Sequence, residues 1–430
     1  MLKPIKVVDL FAGPGGLGEG FSSVGADSSP TFKIVASIEK EESAHKTLTL
    51  RAFVREFPNR QPPLEYYQYL RKEITKKTLI ETYPEEWCAA QKETFGSPLS
   101  LGEDNELIHN GISEALGDDK EPWVLIGGPP CQAYSVVGRI QDKNSMKDDY
   151  RNYLFESFTK VVEEFQPSVF VFENVPGILS AYPGDKKVTE RIYEYFHEHG
   201  YDIKTPEKLK SVIQSASDFG VPQKRDRVII VGIKRASKTL DFNLEKIYKA
   251  INNQKIKTPV TLRQAISHLP KFKPSKEIVE INGRKYSHVP VDKDQVIEEN
   301  CKPRFHNERD VKVFEEWVLK NMNKRPIKER IQFYNTLLGK TSKHAKYRNL
   351  EWDKPSQTIV AHLYKDGLMF IHPDADQARS ISVKEAALIQ SFPEDFEFKE
   401  SMGFNYKMIG NAVPPLMAEK IALAIAEIIA

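Results

Sequence analysis

The sequence predicts an α/β protein: a mostly parallel sheet covered on both faces by helices, with a smaller domain inserted late in the chain. Three observations carry this. Short, largely apolar runs recur at Ile5 to Leu10, Lys33 to Ile38, 124–126, 169–172 and 228–231. Helical patterns such as Leu154 to Phe165 fall between them, which is how strands of a parallel sheet alternate with their crossovers. A largely apolar helix, Leu416 to Ile429, must be buried, and the nearest large core is the N-terminal sheet.

Taken in order, the first run ends in Asp9-Leu10-Phe11-Ala12-Gly13-Pro14-Gly15-Gly16-Leu17-Gly18. A strand, a glycine turn and a helix start place backbone N–H groups around a ligand. Gly13, Gly15 and Gly18 satisfy G-x-G-x-x-G, a pattern that suits a nicotinamide cofactor or S-adenosylmethionine equally. Glu39 closes the second strand, where a carboxylate can accept from ribose hydroxyls. Residues 52–120, with Tyr66, Tyr67, Tyr69 and Pro62-Pro63, read as an elaboration of the sheet domain.

The run 124–126 leads into Gly127-Gly128-Pro129-Pro130-Cys131-Gln132. Two Gly and two Pro fix an abrupt turn and hold Cys131 out of the sheet, where a thiolate is a candidate nucleophile. The run 169–172 leads into Glu173-Asn174-Val175-Pro176-Gly177. Burial of Glu173 would raise its pKa and let it act as an acid near neutrality. Arg225 and Arg227, before the 228–231 run, share a strand face by period two and suit a phosphate or a base. The glycine loop, Cys131 and Glu173 all follow strand carboxyl ends, the edge where open α/β sheets bind ligands.

The 430 residues are enough for two or three domains, and 28% charged residues is ordinary for a globular chain. No apolar run approaches the ~18 residues of a membrane span. Met1 to Lys6 lacks the apolar core of a signal peptide, so a cytoplasmic location is expected. Three scattered cysteines, Cys88, Cys131 and Cys301, argue against a disulfide framework or a zinc cluster, and no metal is expected. Cys88 and Cys301 read as small core hydrophobes. The net charge is only +2, but Lys234 to Asp374 holds 29 Lys/Arg against 17 Asp/Glu, a local +12. A basic block inside an acidic frame suggests a polyanion partner, and a Lys-rich solvated surface is the alternative. That block is loop-rich, with one amphipathic helix that sets Val311, Phe314, Val318 and Met322 on one face. After it, Ser382 to Glu385 forms a capping box. The expected domains are 1–237 plus 376–430, and the inserted 238–375.

With these motifs assembled, the sequence resembles the DNA (cytosine-5-)-methyltransferases of prokaryotic restriction-modification type. DLFAGPGGLGEGF resembles the family's cofactor motif, GGPPCQAYS its Pro-Cys motif, FENVPGIL its Glu-Asn-Val motif and QKRDRVIIVG its Gln-x-Arg-x-Arg motif. RSISVKEAALIQSFP from Arg379 and IGNAVPP from Ile409 resemble its two C-terminal motifs, all in the family's order. The resemblance implies a Rossmann-like S-adenosylmethionine-dependent methyltransferase sheet domain with a smaller inserted target-recognition domain. It implies catalytic roles for Cys131, Glu173 and Arg225. It implies cofactor binding by Phe11, Ala12, Gly13, Gly15, Gly16, Glu39 and Asn411. The cytosine of double-stranded DNA would be flipped into the pocket. The polar segment from Cys131 to Arg151 would be the mobile loop that closes over it.

The partner implied is double-stranded DNA, with no membrane and a monomeric enzyme; a cognate restriction endonuclease would share the target site. His306, Arg309, Arg348 and His362 are candidates for base contact. A tRNA cytosine-5 methyltransferase is the nearest rival. A nicotinamide oxidoreductase would leave Cys131 and the arginine pair unexplained. A non-catalytic DNA-binding regulator would need neither Cys131 nor Glu173.

Overall fold

The computed structural model describes residues 3–26, 29–118, 121–130, 153–182, 186–235, 243–281, 283–339 and 341–429. Cys131 and the segment after it, up to residue 152, lie outside the described residues. By their contacts the residues group into two compact units, 1–220 with 226–257 and 412–430, and 221–225 with 258–411.

The first unit is built on a sheet of order β2-β1-β3-β4-β7-β5, with β6 also paired to β7. β1 (Ile5–Leu10), β2 (Phe32–Ile38), β3 (Trp123–Gly127) and β4 (Val169–Asn174) run parallel. Every residue of β3 and β4 is buried, as strands covered on both faces require. β5 (Tyr201–Asp202), β6 (Ile213–Ser215) and β7 (Asp226–Lys234) complete it, and β7 runs antiparallel to β4.

Helix α1 (Gly16–Ser23) follows the glycine loop, and α2 (Glu42–Arg55) follows β2. The segment hard to read from sequence is helical: α3 (Leu64–Leu70), α4 (Lys76–Thr82), α5 (Pro84–Glu93) and α6 (Asn105–Leu116). It has its own apolar cluster around Phe53, Tyr66, Leu79 and Trp87. Tyr67, by contrast, is exposed. Helix α7 (Tyr153–Phe165) lays Phe158 edge-on against Phe170 and Phe172 of β4, at centroid distances of 5.9 and 5.3 Å.

The last helix, Pro415–Ile429, is buried as expected, and it packs on α1 and on α9 (Leu244–Asn253), which follows α8 (Val188–Glu198) in the chain. Its contact with α1 depends on Gly20. A Cβ there would stand 2.4 Å from Ala418 Cβ and 2.4 Å from the Pro415 carbonyl oxygen. Gly20→Ala should therefore force the two helices apart and lower stability by about 1–3 kcal/mol. Urea unfolding checks this: an unchanged midpoint would refute the close approach.

The second unit begins with α10 (Leu262–Ile266), capped by a Thr261–Gln264 box, and the hairpin of β8 (Phe272–Ile281) with β9 (Arg284–Pro290). Helices α11 (Glu308–Leu319) and α12 (Ile327–Leu338) follow. α11 presents the expected face with a shift. Val313, Phe314 and Trp317 are fully buried, Val311 and Val318 flank them, and Met322 falls in a separate short turn. The helix ends at Leu319, so the four-residue stripe predicted from periodicity overruns it by one turn.

Helix α13 (Val383–Ile389) starts at the expected Ser382–Glu385 capping box, and α14 (Met402–Asn411) packs against the turn 361–364. A Cβ on Gly410 would lie 2.3 Å from Ala361 N, so this approach also requires glycine. Residues 376–411, assigned from sequence to the sheet domain, thus group with the second unit, and α9, assigned to the basic block, groups with the first. Charge marks surface whereas packing follows apolar contact, and the two boundaries need not coincide. Tyr248 of α9 makes the point: buried, it accepts from Val231 N and donates to the Ile229 carbonyl within β7.

Candidate active site at the sheet edge

The glycine loop is built by three left-handed residues. Phe11 (φ 57°), Gly13 (φ 59°) and Gly15 (φ 96°) turn the chain from β1 into α1. Ala12 N donates to Ile38 O at 2.9 Å, which ties the loop to the end of β2. Glu39 follows that end. Its Oε2 accepts from Gly13 N at 2.8 Å and its Oε1 from Glu41 N at 2.7 Å. Burial nonetheless raises the Glu39 pKa. A Cβ on Gly13 would meet nothing within 4 Å, so open space lies above the loop. A Cβ on Gly16 would instead strike Val413 O at 2.2 Å.

Beneath the loop, Asp9 is fully buried and accepts from Gly18 N at 3.2 Å. Burial holds its carboxyl well above the usual carboxylate range. An open cradle of N–H groups beside a half-buried carboxylate with spare lone pairs fits the adenosine ribose and methionine portions of S-adenosylmethionine. Of the other residues expected to bind it, Phe11 is half-buried and Ala12 buried, whereas Asn411 is exposed at the end of α14.

One strand across, the ends of β3 and β4 are locked together. Asn174 Nδ2 donates to Pro129 O at 3.3 Å, and its Oδ1 accepts from Val175 N at 2.9 Å. A Cβ on Gly128 would lie 2.7 Å from Glu173 Oε2, so only glycine lets the Pro-Pro turn pass the carboxylate this closely. The turn that leads toward Cys131 is thereby fixed against Glu173 and Asn174 at Gly128 and Pro129. Glu173 is 8% exposed and its Oε1 meets Arg227 Nε at 2.6 Å. Sequence reasoning did not find this pair, which depends on the antiparallel register that sets Asn174 opposite Val228.

The period-two spacing of Arg225 and Arg227 predicted two guanidinium groups on one anion. The structure gives each its own partners. Arg225, 2% exposed, donates to Ile359 O at 2.8 Å and to Gly410 O at 3.0 Å within the second unit. Gln223, which opens the same motif and was given no role from sequence, is fully buried and accepts from Ile359 N at 2.8 Å. Both therefore brace the 359–361 backbone on which Gly410 packs.

Among the base-contact candidates, His306 is corrected. It is 5% exposed, bonded to Ser380 N at 3.2 Å, and burial drives its pKa well below the usual value. It is a neutral core histidine. Arg309, Arg348 and His362 are exposed. Arg309 lines a recess of about 300 Å3 together with Arg304, Lys346, Tyr347, Lys365 and Asp366. Cys301 is buried, its thiol pushed up to about 12, whereas Cys88 is exposed and so is not the core residue expected. Among the described residues no helix is long and apolar enough to cross a membrane.

Residues 71–427 match the model of the family described as C-5 cytosine-specific DNA methylase. The type II methyltransferase M.Bpa9945I of Bacillus paralicheniformis is 36% identical, over 98% of this chain and 99% of that protein. The type II methyltransferase M1.HphI of Haemophilus parahaemolyticus is 30% identical, over 98% of this chain and 86% of that one. A structure designated a DNA modification methyltransferase encoded within an Escherichia coli prophage superposes with a TM-score of 0.56 at 22% identity, with 99% of each chain covered. At that identity the likeness speaks for the fold.

Proposed function

Because the chain belongs to the C-5 cytosine-specific DNA methylases, we propose that it methylates carbon 5 of a flipped-out cytosine within a short specific sequence of double-stranded DNA, with Cys131 as the nucleophile. The observation that carries this reading is the shared edge. The glycine loop ends β1, the turn toward Cys131 ends β3, and Glu173 ends β4, on three adjacent parallel strands.

S-adenosylmethionine, when bound at the glycine loop, supplies a methyl group on a sulfonium. Phe11, Ala12, Gly13, Gly15, Gly16 and Glu39 would hold it, with Asn411. The Cys131 thiolate forms a bond to cytosine C6, and the ring electrons displaced make C5 nucleophilic. Glu173 hydrogen-bonds the N3 edge of the base and stabilises the charge that the addition creates. Arg227 fixes the direction of the Glu173 carboxyl group, and Asn174 fixes the backbone of the turn. C5 would take the donor's methyl group, the methyl–sulfur bond breaking as the C5–methyl bond forms and the sulfur leaving as a neutral thioether. The C5 proton then leaves to solvent, its C–H electron pair re-forms the C5–C6 double bond, and the C6–S bonding pair departs with Cys131, which ends the cycle as thiolate. Arg225 acts indirectly, by bracing the backbone at Ile359 and Gly410.

The basic block supplies target recognition. Arg309, Lys346 and Lys365 at the recess, with Arg348 and His362, suit phosphates and base edges, and binding should weaken steeply with salt. The enzyme acts as a cytoplasmic monomer and protects host DNA from a restriction endonuclease that cuts the same site. Incubation with a tritiated methyl donor and either duplex DNA or tRNA, followed by sequencing of modified cytosines, tests this reading. Label in DNA at one short motif is expected; label in tRNA alone would overturn it.

A further inference from the structure

Glu19 lies in α1, one turn beyond the glycine loop, and its backbone N–H donates to Gly15 O at 2.8 Å. Its side chain is 2% exposed and accepts a fork from Arg51, at 2.8 Å from Nε and 2.7 Å from Nη2. Arg60 Nη1 reaches it at 2.9 Å and Arg55 Nη1 at 3.8 Å. Arg51 and Arg55 come from α2, and Arg60 from the turn after it. Arg55 also pairs with Glu93 of α5 at 2.5 Å, and Glu93 accepts from Ser37 Oγ at 3.2 Å. Ser37 stands in β2, two residues before Glu39.

A chain of buried polar and charged side chains therefore runs from the helix that follows the glycine loop to the strand that precedes Glu39. These are the two sides of the cradle. Arg55 also acts electrostatically on Asp9, the carboxylate beneath the loop, whose Oδ1 has no partner among the described residues.

Burying charges is a poor way to gain stability, because desolvation consumes most of the attraction and apolar side chains of similar volume do as well. What a forked guanidinium–carboxylate pair provides instead is a fixed geometry. A slip of α1 along β2 would break several directional bonds at once, whereas an apolar contact would tolerate it. The loop and Glu39 must keep their spacing for one ligand to touch both.

We propose that Glu19, gripped by Arg51, Arg55 and Arg60, is a positioning residue for the methyl donor, so that the helical elaboration after β2 sets cofactor affinity. The inference rests on the reading that S-adenosylmethionine binds at the glycine loop. Neutralising Glu19 leaves three arginines without their shared anion and lets the loop shift relative to Glu39.

Calorimetric titration with S-adenosylmethionine in the absence of DNA tests it, on the full chain. Glu19→Gln should raise the dissociation constant about tenfold. Arg60→Gln, at the more exposed rim of the network, should raise it about threefold with the fold intact. In both, DNA affinity measured by gel shift and kcat at saturating donor should stay within about twofold of the parent. Unchanged donor affinity with only a lowered melting temperature would overturn the proposal and leave the donor site standing. A parent protein that does not bind the donor would overturn both. A third arm uses the parent alone: donor binding should slow amide exchange in residues 51–60 as well as 13–19. Protection confined to 13–19 would also overturn the proposal.

Discussion

Cys131→Ala is expected to reduce methyl transfer by about ten-thousandfold or more, the scale on which loss of a nucleophile acts in other enzymes. The chemistry sets the size. Cytosine C5 is too weak a nucleophile to attack a methyl sulfonium until a thiolate has added to C6. The turn before Cys131 is held by Asn174 on Pro129 and by the close pass of Gly128 at Glu173. With target recognition proposed for the basic block, DNA binding at fixed salt should be retained within about threefold. Tritium incorporation and a gel shift on the same preparation measure the two quantities. Retained methylation would remove Cys131 from the mechanism.

The second large effect is on stability. Arg379→Met should destabilise the second unit by about 3–5 kcal/mol, because it strands a buried anion. Glu385 is the capping-box acid of α13 and accepts from Ser382 N at 2.6 Å. Both its oxygens receive Arg379 at 2.7 Å, and Arg379 also donates to Gln377 Oε1 at 3.0 and 2.8 Å. The side chains are 1% and 3% exposed. These partners hold the Glu385 carboxyl at about 2 despite its burial.

A carboxyl whose folded pKa lies below its unfolded value contributes stability that is fully present above the unfolded value, near 4.5, and is lost as pH falls toward 2. The amount is about 3 kcal/mol. In the variant that contribution is absent, and acid neutralises the stranded carboxylate. Urea unfolding at pH 7 and pH 3 should therefore show a smaller difference between parent and variant at pH 3. An equal or larger difference at pH 3 would refute the assignment.

Much of the sheet was legible because an interior parallel strand must be apolar throughout, and Val124 to Ile126 or Val169 to Phe172 admit no other reading at that length. The chemistry at the strand ends was legible for a related reason. A turn as costly as Gly-Gly-Pro-Pro has little use except to hold the next side chain in one place. Partnerships across the fold were not legible. Glu173 with Arg227 depends on β7 running antiparallel to β4, and an apolar run carries no direction. Glu19 with Arg51 and Arg60 spans 32 and 41 residues. His306 looked like a surface ligand because it sits in a basic segment, and only packing shows it pointing at Ser380. The helices between Leu64 and Leu116 are 7 to 12 residues long, too short for periodicity to outvote local composition.

The seat of the last helix against Gly20 has a consequence for how the protein comes into being. A ribosome delivers α1 early and its partner, residues 415–429, only after residues 258–411 have been made. At elongation rates of about 5–20 residues per second, that gap lasts on the order of 10–30 seconds. Throughout it the face of α1 at Gly20 is uncovered and the loop helix lacks its support. The nascent chain is thus inactive by construction and most prone to aggregate while residues 258–411 are being translated, so slow codons between 258 and 411 should lower the yield of active enzyme more than slow codons after 415.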